Sequence, residues 1–281
     1  MARNRTFSID KEGDCWYLCA VLETGEKGRV HTTRGVALRV DLYHLPSEIP
    51  EDALRGRTTV VVDVLRASSS IAVALQSGCK GVIPTNDIEA ASTLAQQLGR
   101  KSVLLCGERN GKKIDGFDLG NSPSEFTSEV VRDRTLVMAT TNGSRAIVRT
   151  KTSALSLVGC FLNAESICRH VLGSRGDVAV VCAGKEGEFS LEDAVCGGLI
   201  TSRLAQRVEE SPAELNDAAM AARVLYERYA DDIPGMLQSS SHGRYLMELG
   251  FGDDLRACAQ IDTLQVVPAF VDGRIAEAKK G

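Results

Sequence analysis

From Ala37 onward the chain alternates short apolar runs with segments of helical periodicity. The apolar runs predict strands at residues 40–45, 59–64, 81–83, 103–106, 136–139, 154–158 and 178–183. Helical segments follow several of these runs, at residues 69–76, 88–98 and 144–148. The strands are apolar throughout instead of alternating, which indicates a sheet covered on both faces. The repeated strand–helix–strand order predicts parallel pairing with right-handed crossovers.

The predicted fold class is therefore α/β, as a three-layer α/β/α domain with a mostly parallel or mixed sheet. Past Leu191 the pattern becomes mainly helical, and residues 264–267 form a candidate last strand. Residues 1–36 differ from the rest and contain the single tryptophan, Trp16. We interpret residues 1–36 as an N-terminal extension of unknown role and residues 37–281 as the main domain.

Charge and cysteine content narrow the class of protein. The net charge is −4, with 33 basic and 37 acidic residues and no basic cluster, which argues against nucleic acid or an anionic membrane as partner. No apolar run approaches the roughly 18 residues of a membrane span, and no signal-peptide pattern follows Met1, so a cytoplasmic location is expected. The nine cysteines contain no Cys-x-x-Cys pair, which favours buried free thiols over disulfides or a structural zinc site.

The most unusual stretch is residues 107–123, GERNGKKIDGFDLGNSP. It has neither helical nor alternating periodicity, so it is predicted to be a loop. Long loops in compact domains are usually either functional or disordered, and Phe117 and Leu119, which could anchor this one onto a core, argue against disorder. Glu108 and Asp118 would supply hard oxygen atoms to a ligand. Asn121 and Ser122 stand before Pro123, where Ser122 is predicted to cap a helix. The alternative is a solvated surface loop of mixed charge.

A second polar cluster follows the apolar run at residues 59–62. Asp63 ends this run, and Arg66, Ser68 and Ser69 follow at the start of a predicted helix. Helix starts attract anions because their N–H groups point outward, and an arginine adds a fork suited to phosphate. Alternatively, the serines only cap the helix.

A third cluster, Thr141, Asn142, Gly143 and Arg145, repeats this chemistry after another predicted strand. The simpler alternative is that Asn142-Gly143 is only a turn. In open α/β sheets, ligands gather at the carboxyl ends of the strands, so we expect the polar clusters to meet there.

The fourth cluster follows residues 178–183 and includes Glu192 and Asp193. Ser190 and Asp193 have the spacing of a capping box, which is the alternative for Asp193, whereas Glu192 is left to face the site. Acids beside anion-binding helix starts suggest a phosphate ligand with a divalent cation. Oxygen ligands without a His/Cys set favour Mg²⁺ over Zn²⁺. The four histidines are scattered, and of these only His242 has a polar, glycine-bearing context.

Several nucleotide and hydrolase motifs do not occur. The chain has no G-x-x-x-x-G-K-[ST] loop, no G-x-G-x-x-G after a strand and no G-x-S-x-G elbow. Asp63 is not followed by a second acid two residues later, which argues against the D-x-D type of aspartyl phosphatase.

Taken in order, five segments resemble the 2-phosphosulfolactate phosphatase family: VVVDVLRASSSI, GERNGKKIDGFDLGNSP, TTNGSRAI, CAGKEGEFSLEDAVCGG and SHGRYLMELGFGDDLRACAQID. The resemblance covers about residues 40–267 and implies a Mg²⁺-dependent acid phosphatase of coenzyme M biosynthesis. The implied reaction is hydrolysis of (2R)-2-phospho-3-sulfolactate to 3-sulfolactate and phosphate. The family positions carry over to Asp63, Arg66, Glu108, Asp118, Asn121, Ser122, Thr141, Asn142, Arg145, Glu192 and Asp193.

From the clusters and the resemblance together we assign three sets of residues. The predicted catalytic residues are Asp63, Arg66 and Glu108. The predicted phosphate- and substrate-binding residues are Ser68, Ser69, Asn121, Ser122, Thr141, Asn142, Gly143 and Arg145. The predicted Mg²⁺ ligands come from Asp63, Glu108, Asp118, Glu192 and Asp193.

Three questions stay open at the level of sequence. Water could attack the phosphoryl group directly, or Asp63 could first form a phospho-enzyme. The partner is predicted to be a small anionic phosphoester, but the substrate could be another small phosphorylated acid, or the chain could be a non-catalytic anion-binding module. The oligomeric state is not determined, and a homodimer would be unsurprising.

Overall fold

The computed structural model describes residues 38–174, 176–207 and 212–278. The predicted extension at residues 1–36 lies outside these ranges. The strands, in chain order, are β1 Arg39–Tyr43, β2 Thr58–Val62, β3 Gly81–Thr85, β4 Val103–Arg109, β5 Lys112–Lys113, β6 Thr135–Ala139, β7 Leu155–Gly159, β8 Val178–Cys182, β9 Glu214–Leu215, β10 Pro268–Val271 and β11 Arg274–Glu277. The α-helices are α1 Ala67–Gln76, α2 Ile88–Leu98, α3 Ser128–Val131, α4 Gly143–Arg149, α5 Ala164–Gly173, α6 Leu191–Gln206, α7 Asp217–Tyr229, α8 Ile233–Ser239, α9 Ser241–Glu248 and α10 Gly252–Cys258.

The strands form one mixed sheet in the order β5-β4-β6-β3-β11-β10-β7-β2-β8-β1-β9. Strands β4, β6 and β3 form one parallel block, and β7, β2, β8, β1 and β9 form a second parallel block. The antiparallel hairpin β10–β11 lies between the blocks and pairs with β7 on one side and β3 on the other. The α/β class, the three layers and the mixed sheet are therefore confirmed, as is the greater helical content after Leu191.

Helices cover both faces of the sheet, as the apolar strands predict. All five residues of β2 and of β8 are buried. The outer face of the second block packs against α5, α6 and α7, and the outer face of the first block packs against α2. A central cluster combines residues from both blocks, such as Val61 of β2 and Met138 of β6, with Ile71 of α1 and Ile147 of α4.

This central cluster implies that the sheet curls around α1 and α4. Strands β6 and β2 are five places apart, which in a flat sheet would separate them by about 24 Å at roughly 4.8 Å per strand. Yet Gly143, four residues after β6, lies against Asp63, the residue that follows β2. Curling therefore brings the carboxyl ends of the two blocks together.

Two local predictions differ from the structure. Residues 264–267 are not a strand; the last strands are β10 and β11, joined by a turn in which Asp272 and Gly273 both have positive φ. Residues 107–123 are more ordered than a structureless loop, because β4 extends to Arg109 and pairs with β5, and Leu119 bridges back to Cys106. Backbone hydrogen bonds to the neighbouring strand stabilise this segment despite its lack of apolar periodicity.

Seven cysteines, at positions 79, 106, 160, 168, 182, 196 and 258, are free and buried, as predicted; Cys15 and Cys19 lie outside the described residues. Within residues 38–174, 176–207 and 212–278, no helix combines the length and apolar character that crossing a membrane requires.

Candidate active site

A polar cleft lies where the carboxyl ends of the two parallel blocks meet. Its walls include Asp63 after β2, Glu108 in β4, Asn121 from the glycine-rich segment, and Thr141 and Asn142 after β6. Three of the four predicted clusters therefore contribute catalytic or binding candidates to one cleft. The fourth contributes Lys185 and Glu186, from the segment between β8 and α6. The innermost part of the cleft has a volume of about 30 Å³, room for a few water-sized groups, and the cleft opens to solvent, so a larger ligand would extend toward the mouth.

Asp63 is held at the junction of β2 and α1. Its side chain is almost wholly buried, and its Oδ1 accepts a hydrogen bond of 3.3 Å from the backbone N–H of Ala67 at the start of α1. Ser68 Oγ accepts a 2.9 Å hydrogen bond from the backbone N–H of Asp63. The peptide bond between Leu65 and Arg66 in this junction is cis. Ser68 therefore shapes the turn that presents Asp63, and Ser69 assists by donating from Oγ to the Val64 carbonyl at 2.8 Å.

Burial raises the pKa of Asp63 to about 6. The charge of His242 and the N–H of Ala67 oppose this rise in pKa, whereas the carboxylates of Glu108 and Glu192 add to it. The ionised form of Asp63 is thus destabilised by its surroundings, and a cation at this position would relieve the repulsion.

Gly143 permits the close approach of β6 to Asp63. A Cβ atom at position 143 would lie 2.6 Å from Asp63 Oδ2 and 2.5 Å from the Cβ of Ala67. Both distances are shorter than van der Waals contact, so any side chain here would displace the carboxylate. The glycine predicted as a binding residue contributes by leaving this space open.

Glu108 connects the glycine-rich segment to the end of β6. Its Oε1 accepts from the backbone N–H of Thr141 at 2.8 Å, and its Oε2 accepts from the backbone N–H of Gly111 at 2.9 Å. The residue is 9% exposed. One lone pair on each oxygen stays available to a ligand, since a carboxylate oxygen can accept two interactions.

Arg66 lies in the cleft wall, but its charge is already neutralised. Its NH1 donates to Asp254 Oδ2 at 2.7 Å and its NH2 donates to the Gly111 carbonyl at 2.6 Å. The guanidinium also stacks on the ring of Phe251 at 4.3 Å. Ser122 Oγ donates to the other oxygen of Asp254 at 2.5 Å. Arg66 and Ser122 therefore tie α1, the glycine-rich segment and α10 together around Asp254.

The two acids at the start of α6 have different surroundings. Asp193 accepts from the backbone N–H groups of Val64 at 2.8 Å and Gly184 at 3.1 Å, so it clamps the ends of β2 and β8. Burial raises the pKa of Asp193 well above its usual range, and the charges of Asp63 and Glu192 add to the rise. Ser190 caps α6 by accepting from the N–H of Asp193, which is half of the capping box considered for this pair.

Glu192 is 1% exposed and contacts a histidine that lines the cleft. Its Oε1 lies 3.2 Å from Nδ1 of His242, on α9. Burial acts to raise the pKa of Glu192, but the hydrogen bond and charge of His242 outweigh burial and lower the pKa. The pair therefore favours an ionised Glu192 that orients the His242 ring.

The predicted magnesium ligands do not all meet. Across the part of the chain that is described, no three His, Cys, Asp or Glu side chains form a closed metal cage. Mg²⁺ does not require one, because it is commonly bound by one or two carboxylates and keeps several waters. Two buried oxygens without a hydrogen-bond partner, Asn121 Oδ1 and Thr141 Oγ1, also lie in residues that line the cleft. With Asp63 and Glu108, they give this cleft four residues that carry oxygen donors, the type of ligand that Mg²⁺ prefers.

Eight predicted site residues do not line the cleft: Ser68, Ser69, Asp118, Ser122, Gly143, Arg145, Glu192 and Asp193. Asp118 and Arg145 contact other parts of the surface. Asp118 accepts from the Leu105 N–H at 2.7 Å and pairs with Arg100 at 3.0 Å, which fastens the glycine-rich segment to β4. Arg145 is exposed and lines a different surface depression beside Arg149. It lies there because Arg145 is on the first turn of α4, and only the Gly143 side of that turn faces Asp63.

Sequence reasoning assigned no role to Lys185, Glu186, Asn110 and Tyr245, which also line the cleft, and it left His242 unassigned. Lys185 and Glu186 stand in the fourth cluster, and His242 was noted for its glycine-bearing context. Tyr245 follows His242 by three residues, so a helix starting at position 241 places both on one face, which is a signal the sequence does contain.

Comparisons with known proteins agree with the segments described above. A family model described as 2-phosphosulpholactate phosphatase matches residues 43–273. A probable 2-phosphosulfolactate phosphatase from Clostridium acetobutylicum is 39% identical over 238 residues, which are 85% of this chain and 100% of that protein. One from Clostridium novyi is 40% identical over 83% of this chain and 97% of its own length. One from Nostoc punctiforme is 36% identical over 86% of this chain and 100% of its own length.

Proposed function

Because the chain belongs to the 2-phosphosulpholactate phosphatase family, we propose that it is a Mg²⁺-dependent phosphatase that hydrolyses (2R)-2-phospho-3-sulfolactate to 3-sulfolactate and phosphate. Membership makes the protein an enzyme and removes the support for a non-catalytic anion-binding module. Its place in coenzyme M biosynthesis, a cytoplasmic location and a homodimer stay predictions of the sequence.

The observation that carries the metal part of the proposal is the group of oxygens around Asp63. Asp63 is buried, and the carboxylates of Glu108 and Glu192 make its ionised form still less favourable. Asn121 Oδ1 and Thr141 Oγ1 have no partner among the described residues. Buried acceptors without a donor cost free energy, and a cation would compensate both the charge and the orphaned oxygens.

Within this proposal, Asp63, Glu108, Asn121 and Thr141 are the residues that would hold Mg²⁺. When bound, Mg²⁺ would supply polarisation of the phosphoryl oxygens and neutralisation of their charge. Positioning and charge neutralisation are the main contributions that proteins make to phosphoryl transfer. Asn142 contributes to the positioning, since its Oδ1 accepts from the N–H of Glu186 at 3.0 Å and so joins the walls contributed by β6 and β8.

His242 has a separate role in the proposal. Glu192 fixes one ring nitrogen, and the ring lines the cleft beside Asp63. A histidine oriented in this way can give a proton to the ester oxygen as the bond to phosphorus breaks. This matters for a substrate whose leaving group is an alkoxide, which is a poor leaving group without a proton.

The test is phosphate release from racemic phosphosulfolactate, phospholactate and p-nitrophenyl phosphate, each in Mg²⁺ and again in EDTA. We expect release that requires Mg²⁺ and prefers the sulfonated ester. Release from phospholactate but not phosphosulfolactate would keep the mechanism and reject the substrate. Equal release in EDTA would reject the metal, and no release from any ester by folded protein would reject the proposed activity.

A further inference from the structure

Lys185 lies at the cleft in a conformation that the structure fixes on both its backbone and its side chain. Its N–H donates to the Glu188 carbonyl and the Glu188 N–H donates back to the Lys185 carbonyl, both at 2.9 Å. Between them, Glu186 and Gly187 both have positive φ, 54° and 83°, as in the tight two-residue turn of a β-hairpin. Two hydrogen bonds therefore fix the backbone from which the Lys185 side chain extends.

The ammonium group of Lys185 is also directed. Its Nζ lies 4.9 Å from the centre of the Tyr245 ring, a cation–π contact. The hydroxyl of Tyr245 donates to the Asn110 carbonyl at 3.0 Å, which fixes the ring against the turn between β4 and β5. Three separate parts of the chain thus hold one positive charge at the cleft.

The charges of the cleft make this lysine distinctive. Arg66 is paired with Asp254, and His242 is paired with Glu192. Among the described residues that line the cleft, Lys185 is the cation that has no carboxylate partner. The cleft opens to solvent on one side, so the carbon skeleton of a substrate can extend toward its mouth.

We propose that Lys185 binds the second anionic group of the substrate, a carboxylate or sulfonate on the carbon skeleton, and thereby selects phosphorylated acids over neutral phosphate esters. This inference rests on the proposed phosphatase function and goes beyond it by assigning the substrate's acid group to a residue. A charge-assisted hydrogen bond from Lys185 would add binding energy that a neutral ester cannot obtain. Tyr245 acts by keeping the ammonium group in place.

The experiment compares two esters that differ in one group. 2-Phospholactate and isopropyl phosphate have the same branched skeleton, but a carboxylate in the first replaces a methyl group in the second. We expect Lys185→Met to lower kcat/KM for 2-phospholactate by about tenfold or more beyond its effect on isopropyl phosphate, since this is the effect of losing one hydrogen bond between charged groups. The change should appear mainly in KM. Lys185→Arg should restore much of the preference because it keeps the charge.

Lys101→Met is the matched control, because Lys101 is exposed on the turn before β4. It should leave the ratio of the two esters unchanged. The inference would be overturned if Lys185→Met lowered kcat/KM equally for both esters, or if that variant kept the full wild-type preference for 2-phospholactate.

A binding measurement separates this inference from the proposed activity. Protection of the folded protein against thermal unfolding by 3-sulfolactate does not require turnover. If 3-sulfolactate protects the wild type but not Lys185→Met, the inference is supported even when no ester is hydrolysed. The absence of hydrolysis would then reject only the proposed phosphatase function. Equal protection of both proteins would overturn the inference even if hydrolysis were observed.

Discussion

Replacing Asp254 with asparagine would leave the guanidinium of Arg66 buried without its counter-charge. The side chains of Arg66 and Asp254 are 3% and 4% exposed, and the two atoms in contact are 2.7 Å apart. Arg66 would keep the carbonyl of Gly111 and the ring of Phe251, neither of which carries a negative charge. The substitution therefore changes charge with almost no change in volume.

The cost follows from the burial of this pair. At an effective dielectric constant of about 20, two unit charges at this distance attract by about 6 kcal/mol before desolvation is counted. Breaking a buried pair by removing one partner costs about 3–5 kcal/mol. For a domain of about 240 residues this corresponds to a fall in Tm of about 10 °C.

The assay is urea unfolding of wild type and Asp254→Asn in EDTA, with Asp253→Asn as control. Asp253 stands one position earlier on α10 but its side chain is 84% exposed, so its loss should cost less than about 1 kcal/mol. The double variant Arg66→Met with Asp254→Leu should be more stable than the sum of its single effects predicts. If Asp254→Asn lowered the free energy of unfolding no more than Asp253→Asn does, our account of Arg66 as a neutralised, structural cation would be refuted.

Three further predictions concern the cleft itself. Asp63→Asn should abolish activity and yet stabilise the metal-free protein. The pKa of Asp63 is about 6 in the folded protein and about 3.8 in the unfolded chain, so its ionisation lowers the free energy of unfolding by about 3 kcal/mol above pH 6. This loss of stability disappears below about pH 4, where Asp63 is protonated in both states. The unfolding free energies of wild type and Asp63→Asn, measured from pH 4 to 7 in EDTA, should therefore diverge as the pH rises. Gly143→Ala should lower stability by about 1–3 kcal/mol and reduce phosphate release, because the added methyl group would collide with Asp63 and Ala67. Asp118→Asn should lower stability by about 1 kcal/mol through its contacts with Leu105 and Arg100, while the Mg²⁺ concentration for half-maximal activity stays unchanged.

Each of these has a contrary outcome. Parallel pH profiles for wild type and Asp63→Asn would show that burial does not disfavour the charge of Asp63. If Gly143→Ala were as stable and as active as wild type, the turn at Asn142 would be able to shift without loss of stability. A requirement for much more Mg²⁺ in Asp118→Asn would place Asp118 among the metal ligands, as the sequence first suggested.

The sequence predicted the cleft better than it predicted the roles of the residues around it. Asp63, Glu108, Asn121, Thr141 and Asn142 meet because polar residues that follow parallel strands reach the same edge of the sheet. That argument needs only local patterns and the rule for parallel strands, and both are visible along the chain.

Roles that depend on distant partners could not be predicted in the same way. Arg66 finds its counter-charge 188 positions later, at Asp254, and no local pattern records that contact. The hairpin β10–β11 has two strands of four residues each, and their insertion between β3 and β7 depends on pairing across most of the chain. Arg145 failed to reach the cleft because the rotation of a short helix decides which side chains face it, and that rotation is set by packing.

The hairpin of residues 268–277 has a consequence for the order in which the enzyme is made. It is the part of the described sheet that joins the two parallel blocks, and each block contributes one side of the cleft. A nascent chain that has released residues 38–250 from the ribosome already carries Asp63, Glu108 and His242, yet its two blocks are not joined through the sheet. In such a chain the packing of α1 and α4 against strands of both blocks remains, and the sheet that fixes the two walls of the cleft relative to each other is completed when β10 and β11 have been made.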